Sequence, residues 1–76
     1  PEIHYLSFDG SKIYVECSPV ERIHFISYYH HGYSRCNRNG RTIESAEYEI
    51  KGSEKYVRVE CVDKKGRIAW SNPIFP

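Results

Sequence analysis

Histidine is the side chain in this sequence best suited to metal binding or acid–base chemistry, so its spacing is the first test for a catalytic site. The chain has four histidines: His4, His24, His30 and His31. Two ligands on one face need a spacing of i, i+2 on a strand or i, i+4 on a helix, and adjacent residues point apart in an extended segment. The sequence contains no His-x-His, Cys-x-x-Cys or His-Glu-x-x-His motif. We therefore expect no metal site, no cofactor and no catalytic residue in this chain.

Three cysteines, Cys17, Cys36 and Cys61, are the other candidates for chemistry. Their odd number and wide spacing differ from the dense, even set of a small secreted scaffold, which favours a reducing, cytoplasmic location. Alternation places Cys17 and Cys61 at inward positions of two strands, as buried thiols or as an inter-sheet disulfide. An immunoglobulin domain places its Trp between its two cysteines, whereas Trp70 follows the second one here. We therefore expect no disulfide partner.

Residues 28–41 are the part of the sequence that best suits ligand binding. No acidic residue occurs between Glu21 and Glu44. Interleaved basic and aromatic side chains on a loop suit contacts with phosphates and bases, through charge-assisted hydrogen bonds and stacking. The alternative is a solvated loop whose tyrosines cover one end of the domain or dock on a neighbouring domain. The candidate residues for an anion or a partner are Tyr28, Tyr29, His30, His31, Tyr33, Arg35, Arg38 and Arg41.

The element that would position these residues is a hairpin in the last third of the chain. Between residues 56 and 63, Val57, Val59 and Cys61 alternate with polar residues, which is the period of a strand with one buried face. Residues 63–66 predict a tight turn, in which Gly66 can take a positive φ. We therefore predict a hairpin that contributes most of the core.

The return strand of this hairpin carries the densest apolar cluster of the sequence, including Ile68 and Trp70. Asn72-Pro73 interrupts it, and a proline in a strand belongs at an edge or a bulge. Removal of a buried Trp costs about 3–5 kcal/mol, whereas a domain of this size is stable by about 4–11 kcal/mol in total. Trp70 is therefore predicted to hold the core together. The predicted core residues are Ile13, Val15, Phe25, Val57, Val59, Cys61, Ile68 and Trp70.

Four earlier segments also alternate: residues 3–8, 12–17, 22–27 and 42–50, with a further short strand possible at 33–36. Pro19 is expected to end the second of them, because proline cannot donate to a sheet ladder. The Glu-rich residues 43–48 also fit a helix, although their alternation favours a strand. Short strands with a turn signal about every ten residues predict an all-β fold, a small immunoglobulin/fibronectin-like β-sandwich of six or seven antiparallel strands.

The length and charge of the chain set its class. Its 76 residues form one domain, and a net charge of +1 gives no general attraction to nucleic acid or membranes. No apolar run approaches the roughly 20 residues of a membrane span. Because the chain starts at Pro1 without a Met and stops after a predicted strand, we expect residues 1–76 to be a single accessory domain from the C-terminus of a larger protein.

Several segments together resemble a known family. They are Ser-Pro-x-x-x-Ile-x-Phe-Ile at residues 18–26, Ala-x-Tyr at 46–48, Tyr-Val-Arg-Val-Glu at 56–60 followed by Asp63 and Gly66, and Ala-Trp-Ser-Asn-Pro-Ile-Phe at 69–75. The pattern is similar to the C-terminal β-sandwich that follows the catalytic domain in PHP-domain (polymerase and histidinol phosphatase type) metal-dependent phosphoesterases. The final run is its most specific part.

The resemblance implies a non-catalytic accessory domain that stabilises or orients an upstream catalytic domain of the same chain. In that family the divalent metals are held by His and Asp residues of the catalytic domain, and those motifs do not occur here. Two alternatives remain. One is an independent module for carbohydrate or peptide, with Tyr28, Tyr29 and Tyr33 as a stacking platform; the other is a nucleic-acid binder, although neither nucleic acid nor a membrane is the expected partner.

Overall fold

The strands of this protein form two antiparallel sheets that pack face to face. The structure, a computed structural model, describes residues 1–27, the backbone of 33–36, and residues 41–52 and 54–76. Within these residues it contains strands and no helix. The strands are β1 (Ile3–Phe8), β2 (Lys12–Val20), β3 (Arg22–Ser27), β4 (Tyr33–Cys36), β5 (Ile43–Glu49), β6 (Val57–Val62) and β7 (Ile68–Trp70).

The strand order identifies the type of sandwich. One sheet has the order β1-β2-β5 and the other the order β4-β3-β6-β7, and every pairing is antiparallel. The first, second and fifth strands thus face the third, sixth and seventh, as in immunoglobulin-type sandwiches, except that the fourth strand here joins β3 and not β5. The predicted immunoglobulin/fibronectin-like β-sandwich is confirmed.

The core consists of the inward-facing side chains of both sheets. Phe25 of β3 stacks on Tyr48 of β5 across the sandwich, with ring centroids 5.4 Å apart and ring planes 18° from parallel. Six of the eight predicted core residues are buried: Ile13, Val15, Phe25, Val57, Val59 and Cys61. The further buried residues of the core are Cys17, Val20, Ile23, Ala46 and Tyr48. The inward-facing residues of β2, β3 and β6 therefore build most of the core.

The prediction that Ile68 and Trp70 belong to the core is wrong. Trp70 is 64% exposed and Ile68 is 44% exposed. The cause is the pairing of β7 with β6, in which Ala69 lies opposite the buried Cys61. Directly opposed residues in an antiparallel pair point to the same face, so β7 turns its small residue inward and its two large residues outward.

The predicted end of β2 is also wrong, because the strand runs through Pro19 to Val20. The pairing between β2 and β5 is interrupted between Glu16 and Val20. Pro19 lies in that interruption, so its missing N–H leaves no gap in a regular ladder. The strand favoured over a helix for residues 43–48 is confirmed, since they belong to β5, which pairs with β2 along most of its length.

The turn between β6 and β7 is held by Asp63. Its Oδ1 atom accepts hydrogen bonds from the N–H groups of Lys65 and Arg67, each at 2.9 Å. Its Oδ2 atom accepts a bond from the Arg67 side-chain Nε at 2.7 Å. Gly66 has a φ of +81°, which a residue with a Cβ adopts at a cost, and this agrees with the turn predicted there.

A buried carboxylate closes the connection between β5 and β6. Glu54 is 8% exposed. Its carboxylate accepts hydrogen bonds from the hydroxyl of Tyr48 at 2.5 Å and from the N–H groups of Lys51 and Gly52 at 2.9 Å. Burial alone would raise the pKa of Glu54, but these donors outweigh it and lower the pKa to about 2. Burial, together with the bond to Glu54, raises the pKa of Tyr48 to about 12.

The burial of Phe25 and the exposure of Trp70 predict losses of stability of different size when each side chain is removed. Phe25→Ala should lower the free energy of unfolding by about 3–5 kcal/mol, because it leaves a cavity between the sheets. Trp70→Ala should lower it by less than about 1 kcal/mol, since the indole is mainly in solvent. Urea unfolding followed by circular dichroism measures both values, and the milder Phe25→Leu keeps the comparison measurable if Phe25→Ala does not fold. A larger loss for Trp70→Ala than for Phe25→Ala would contradict the structure.

Glu54→Gln should lower the free energy of unfolding at pH 7 by about 1–3 kcal/mol, because it removes a charged hydrogen-bond acceptor from a buried site. The folded pKa of Glu54 lies below its usual value of 4.5, so its contribution is complete above that pH and is lost as pH falls toward about 2. The stability difference between wild type and variant should therefore shrink over this range in denaturant titrations. The exposed Glu49→Gln on β5 is the matched control and should show little difference at any pH.

Candidate interaction surface

The loop predicted to bind an anion or partner lies largely outside the described residues. This holds for Tyr28, Tyr29, His30, His31 and Arg38. Tyr33 and Arg35 belong to β4, of which the backbone is described and the side chains are not. Arg41 is described and exposed. The binding role of the loop therefore stays a prediction.

A different surface stands out on the outer side of the four-stranded sheet. Along β6 the residues that alternate with the buried Val57, Val59 and Cys61 point outward. Trp70 lies opposite Glu60 and Ile68 lies opposite Val62. We call the exposed side chains Ile68, Trp70 and Phe75, with Tyr56 beside them, the Trp70 face.

The end of the Trp70 face is formed after the strand proper. Ile74 pairs with Val57 and packs against the core, so its neighbour Phe75 points outward and is 73% exposed. The ring of Phe75 meets that of Tyr56 nearly edge-on, with centroids 6.5 Å apart. Three of the five large apolar residues that the described structure exposes thus lie along one edge of one sheet, which is a concentration and not scattered exposure.

The backbone that carries this face forms hydrogen bonds with β6 on both sides of a proline. The N–H of Ser71 donates to the carbonyl of Val59 at 2.9 Å, and the N–H of Val59 donates to the hydroxyl of Ser71 at 3.0 Å. The Ser71 side chain thus takes the place of a backbone acceptor. After Pro73 the ladder resumes with two bonds of 2.8 Å between Ile74 and Val57. The prediction that the proline lies at an edge or a bulge agrees with this arrangement.

Charged residues border the Trp70 face on the side of the sheet centre. Arg58 Nη2 lies 3.0 Å from the carboxylate of Glu60, and the two side chains are 39% and 19% exposed. Arg58 Nε is buried and has no hydrogen-bond partner among the described residues. His24 pairs with Glu60 from β3 and therefore shares this face. The surface is an apolar strip beside a partly buried ion pair, which is the composition of a protein contact patch with a polar rim.

The outer side of the three-stranded sheet has a different character. Tyr14 donates a hydrogen bond to Glu16 at 2.7 Å, which raises the pKa of the tyrosine. The ring of Tyr5 lies at 6.1 Å from that of Tyr14. An open pocket of about 300 Å³ occurs here, and its lining is polar: His4, Tyr14, Glu16, Cys17, Glu44 and Ser45. In the described part of the chain, no group of three or more His, Cys, Asp or Glu residues could hold a metal ion.

Sequence reasoning missed the Trp70 face because it assigned these apolar residues to the core. The signal was present in the spacing. Cys61 faces inward and five residues (63–67) connect β6 to β7, so Ala69 lies opposite Cys61. Both neighbours of Ala69 must then face outward. Sequence reasoning also missed Glu54, and no pattern signals it, since Glu is rarely buried.

Comparisons with known proteins gave no match. No family model matches the chain, and no curated protein and no solved structure matches it. Among the residues that the structure describes, no helix is long and apolar enough to cross a membrane. The fold and the Trp70 face are therefore the observations on which a function is proposed.

Proposed function

We propose that this chain is the non-catalytic C-terminal accessory domain of a PHP-type metal-dependent phosphoesterase. Its role is to stabilise or orient the upstream catalytic domain of the same protein, in the cytoplasm. The proposal assigns the hydrolytic reaction and its divalent metals to that catalytic domain and gives no catalytic residue to this one. The observation that carries it is the exposure of Trp70 within the segment that most resembles the family.

The first support is that the domain does not need these side chains for its own core. Phe25 and Tyr48 fill the space between the sheets, and Ala69 is the residue of β7 that faces inward. Ile68, Trp70 and Phe75 are left in water. Exposed large apolar side chains that cluster along one edge mark a surface that another protein surface covers.

The second support is the kind of residue that is exposed. Trp is enriched among the residues that carry most of the binding energy at interfaces, because one rigid ring buries a large apolar area with little loss of side-chain entropy. Interfaces between domains of one chain bury about 600–1,500 Å² and are more polar than permanent interfaces. An apolar strip with the Arg58–Glu60 pair at its border fits that class.

The third support is the unpaired donor beside the strip. Arg58 Nε is buried without a partner among the described residues, and such a group destabilises a surface by about 1–3 kcal/mol. A carbonyl or carboxylate of a docking domain would accept from the guanidinium once the pair rearranges. The proposed contact therefore combines burial of Trp70 with a new hydrogen bond to Arg58.

The test uses Trp70 as the reporter, because it is the only Trp of this chain. The chain is labelled with 5-fluorotryptophan, and the unlabelled catalytic domain of the candidate parent protein is added. We expect the ¹⁹F signal of Trp70 to shift and broaden as the indole leaves water. Trp70→Ala, read by calorimetry, should weaken the association by about 2 kcal/mol or more, which is roughly thirtyfold in Kd.

Tyr5→Ala is the matched control, since Tyr5 is 53% exposed on the opposite sheet. It should leave the association unchanged. A ¹⁹F signal that does not respond to the catalytic domain, or a Tyr5 variant that weakens binding as much as the Trp70 variant, would refute docking through the Trp70 face.

The same exposed indole also favours a second candidate, an independent module that stacks Trp70 on a sugar ring. A flat aromatic side chain on an open sheet face suits such stacking. A glycan array separates the two functions: binding that is lost in Trp70→Ala, together with no response to the catalytic domain, would replace the first proposal with this one.

A further inference from the structure

The two cysteines of the core face each other between the sheets. Cys17 lies on β2 and Cys61 on β6, and they are 3% and 0% exposed. Both are free thiols in this structure, and each thiol contributes to the pKa of the other, which places the two side chains close together. Each is therefore the immediate neighbour of the other, although they are far apart in sequence.

The strands that carry them approach closely. Stacked sheets usually lie about 10 Å apart, but Cα atoms of β2 and β6 come within 8 Å of each other. A disulfide joins Cα atoms that are typically 4.4–6.8 Å apart, with Cβ atoms that point toward each other. Cys17 and Cys61 are inward-facing residues of these two strands, and a bond between them requires their Cα atoms to lie in that range.

Cys17 lies next to an irregular part of its sheet. Cys17 contributes to the lining of the open pocket on the outer side of the three-stranded sheet, next to Glu44 and Ser45. The pairing of β1 with β2 is irregular between Ile3 and Tyr5, and Ile3 lies opposite Cys17. Because both side chains are buried, a small reagent reaches them during refolding or when the fold opens locally.

We propose that Cys17 and Cys61 are a disulfide site, in which a low-molecular-weight disulfide such as oxidised glutathione converts the two core thiols into a bond that joins the sheets. The bond would close more than half of the chain into one loop. This inference does not depend on the proposed docking function. In a reducing compartment the pair stays in the thiol form that the structure shows.

The reaction balances as two successive exchanges. The Cys17 thiol loses its proton to solvent, and its sulfur attacks the small disulfide, which forms a mixed disulfide and releases one small thiolate. The Cys61 thiol then loses its proton, and its sulfur attacks the Cys17 sulfur and releases the second small thiolate. Two electrons pass from the protein thiols to the reagent, and the two released thiolates take up the two protons.

The environment of the thiols sets the rate of this exchange. Burial raises the pKa of Cys17, and burial together with the adjacent Cys17 raises the pKa of Cys61 to about 12. Few thiolates are then present near neutral pH, so exchange in the folded protein is slow and becomes faster as pH rises. The second step is favoured because Cys61 is already beside the sulfur that it attacks.

The experiment uses the full chain with Cys36→Ser, so that Cys17 and Cys61 are the only thiols, and refolds it in glutathione buffers of graded redox potential. Alkylation after denaturation, followed by mass spectrometry, counts the remaining thiols. We expect oxidised buffers to yield a monomer with no alkylatable thiol and a mass about 2 Da lower, and a melting temperature at least about 10 °C above that of the reduced form. Dithiothreitol should reverse both changes.

The matched control adds Cys17→Ala to the same background, which leaves Cys61 alone. Its melting temperature should not respond to the redox buffer. Peptide mapping of the oxidised wild type, which keeps Cys36, should find the Cys17–Cys61 bond and covers the case in which Cys36→Ser does not fold. Two thiols that persist in excess oxidised glutathione, a stable glutathione adduct in place of the bond, or a bridged form that melts below the reduced form would each overturn the proposal.

Discussion

The fold depends on the burial of the inward faces of β2, β3 and β6 against one another. These strands lie at or next to the centre of their sheets, and they supply most of the side chains with no exposed surface, Phe25 among them. A chain of this size hides only about 60% of the surface that its unfolded form exposes. The stability of the domain therefore depends mainly on these three strands, whose inward-facing residues form most of its core.

That constraint explains why the outer strand β7 is free to serve another purpose. The register of β7 against β6 places Ala69 at the inward position, so the indole of Trp70 lies on the outer face. Turning Trp70 outward leaves an apolar side chain in water, which is unfavourable for the isolated domain. Docking on a neighbouring domain, as we propose, would remove the indole of Trp70 from water. The partner would then bury the apolar surface that the core does not.

The sequence was sufficient to predict the strands in which inward-facing and outward-facing residues alternate. It predicted the bounds of β1 and β3 and the inward residues of β2, β5 and β6, because each of these strands has enough residues to show its alternation. It failed at Trp70, since β7 has three residues and hydrophobicity alone does not tell which face a short run occupies. It also could not predict Glu54, whose burial depends on donors brought together by the chain reversal between β5 and β6. The candidate site was therefore found through exposure and pairing, because the spacing from Cys61 tells which residues of β7 face outward only once the connection at residues 63–67 is known.

Pro73, which follows Trp70, affects how readily the protein aggregates at high concentration. β7 is an edge strand of its sheet. An edge strand with a regular row of unpaired N–H and C=O groups can pair with a strand of a second molecule. Here that row is three residues long, and Pro73, which has no N–H to offer, stands where a longer strand would continue. The protein can therefore expose the aromatic side chains of the Trp70 face at this edge without also offering a template for fibril growth.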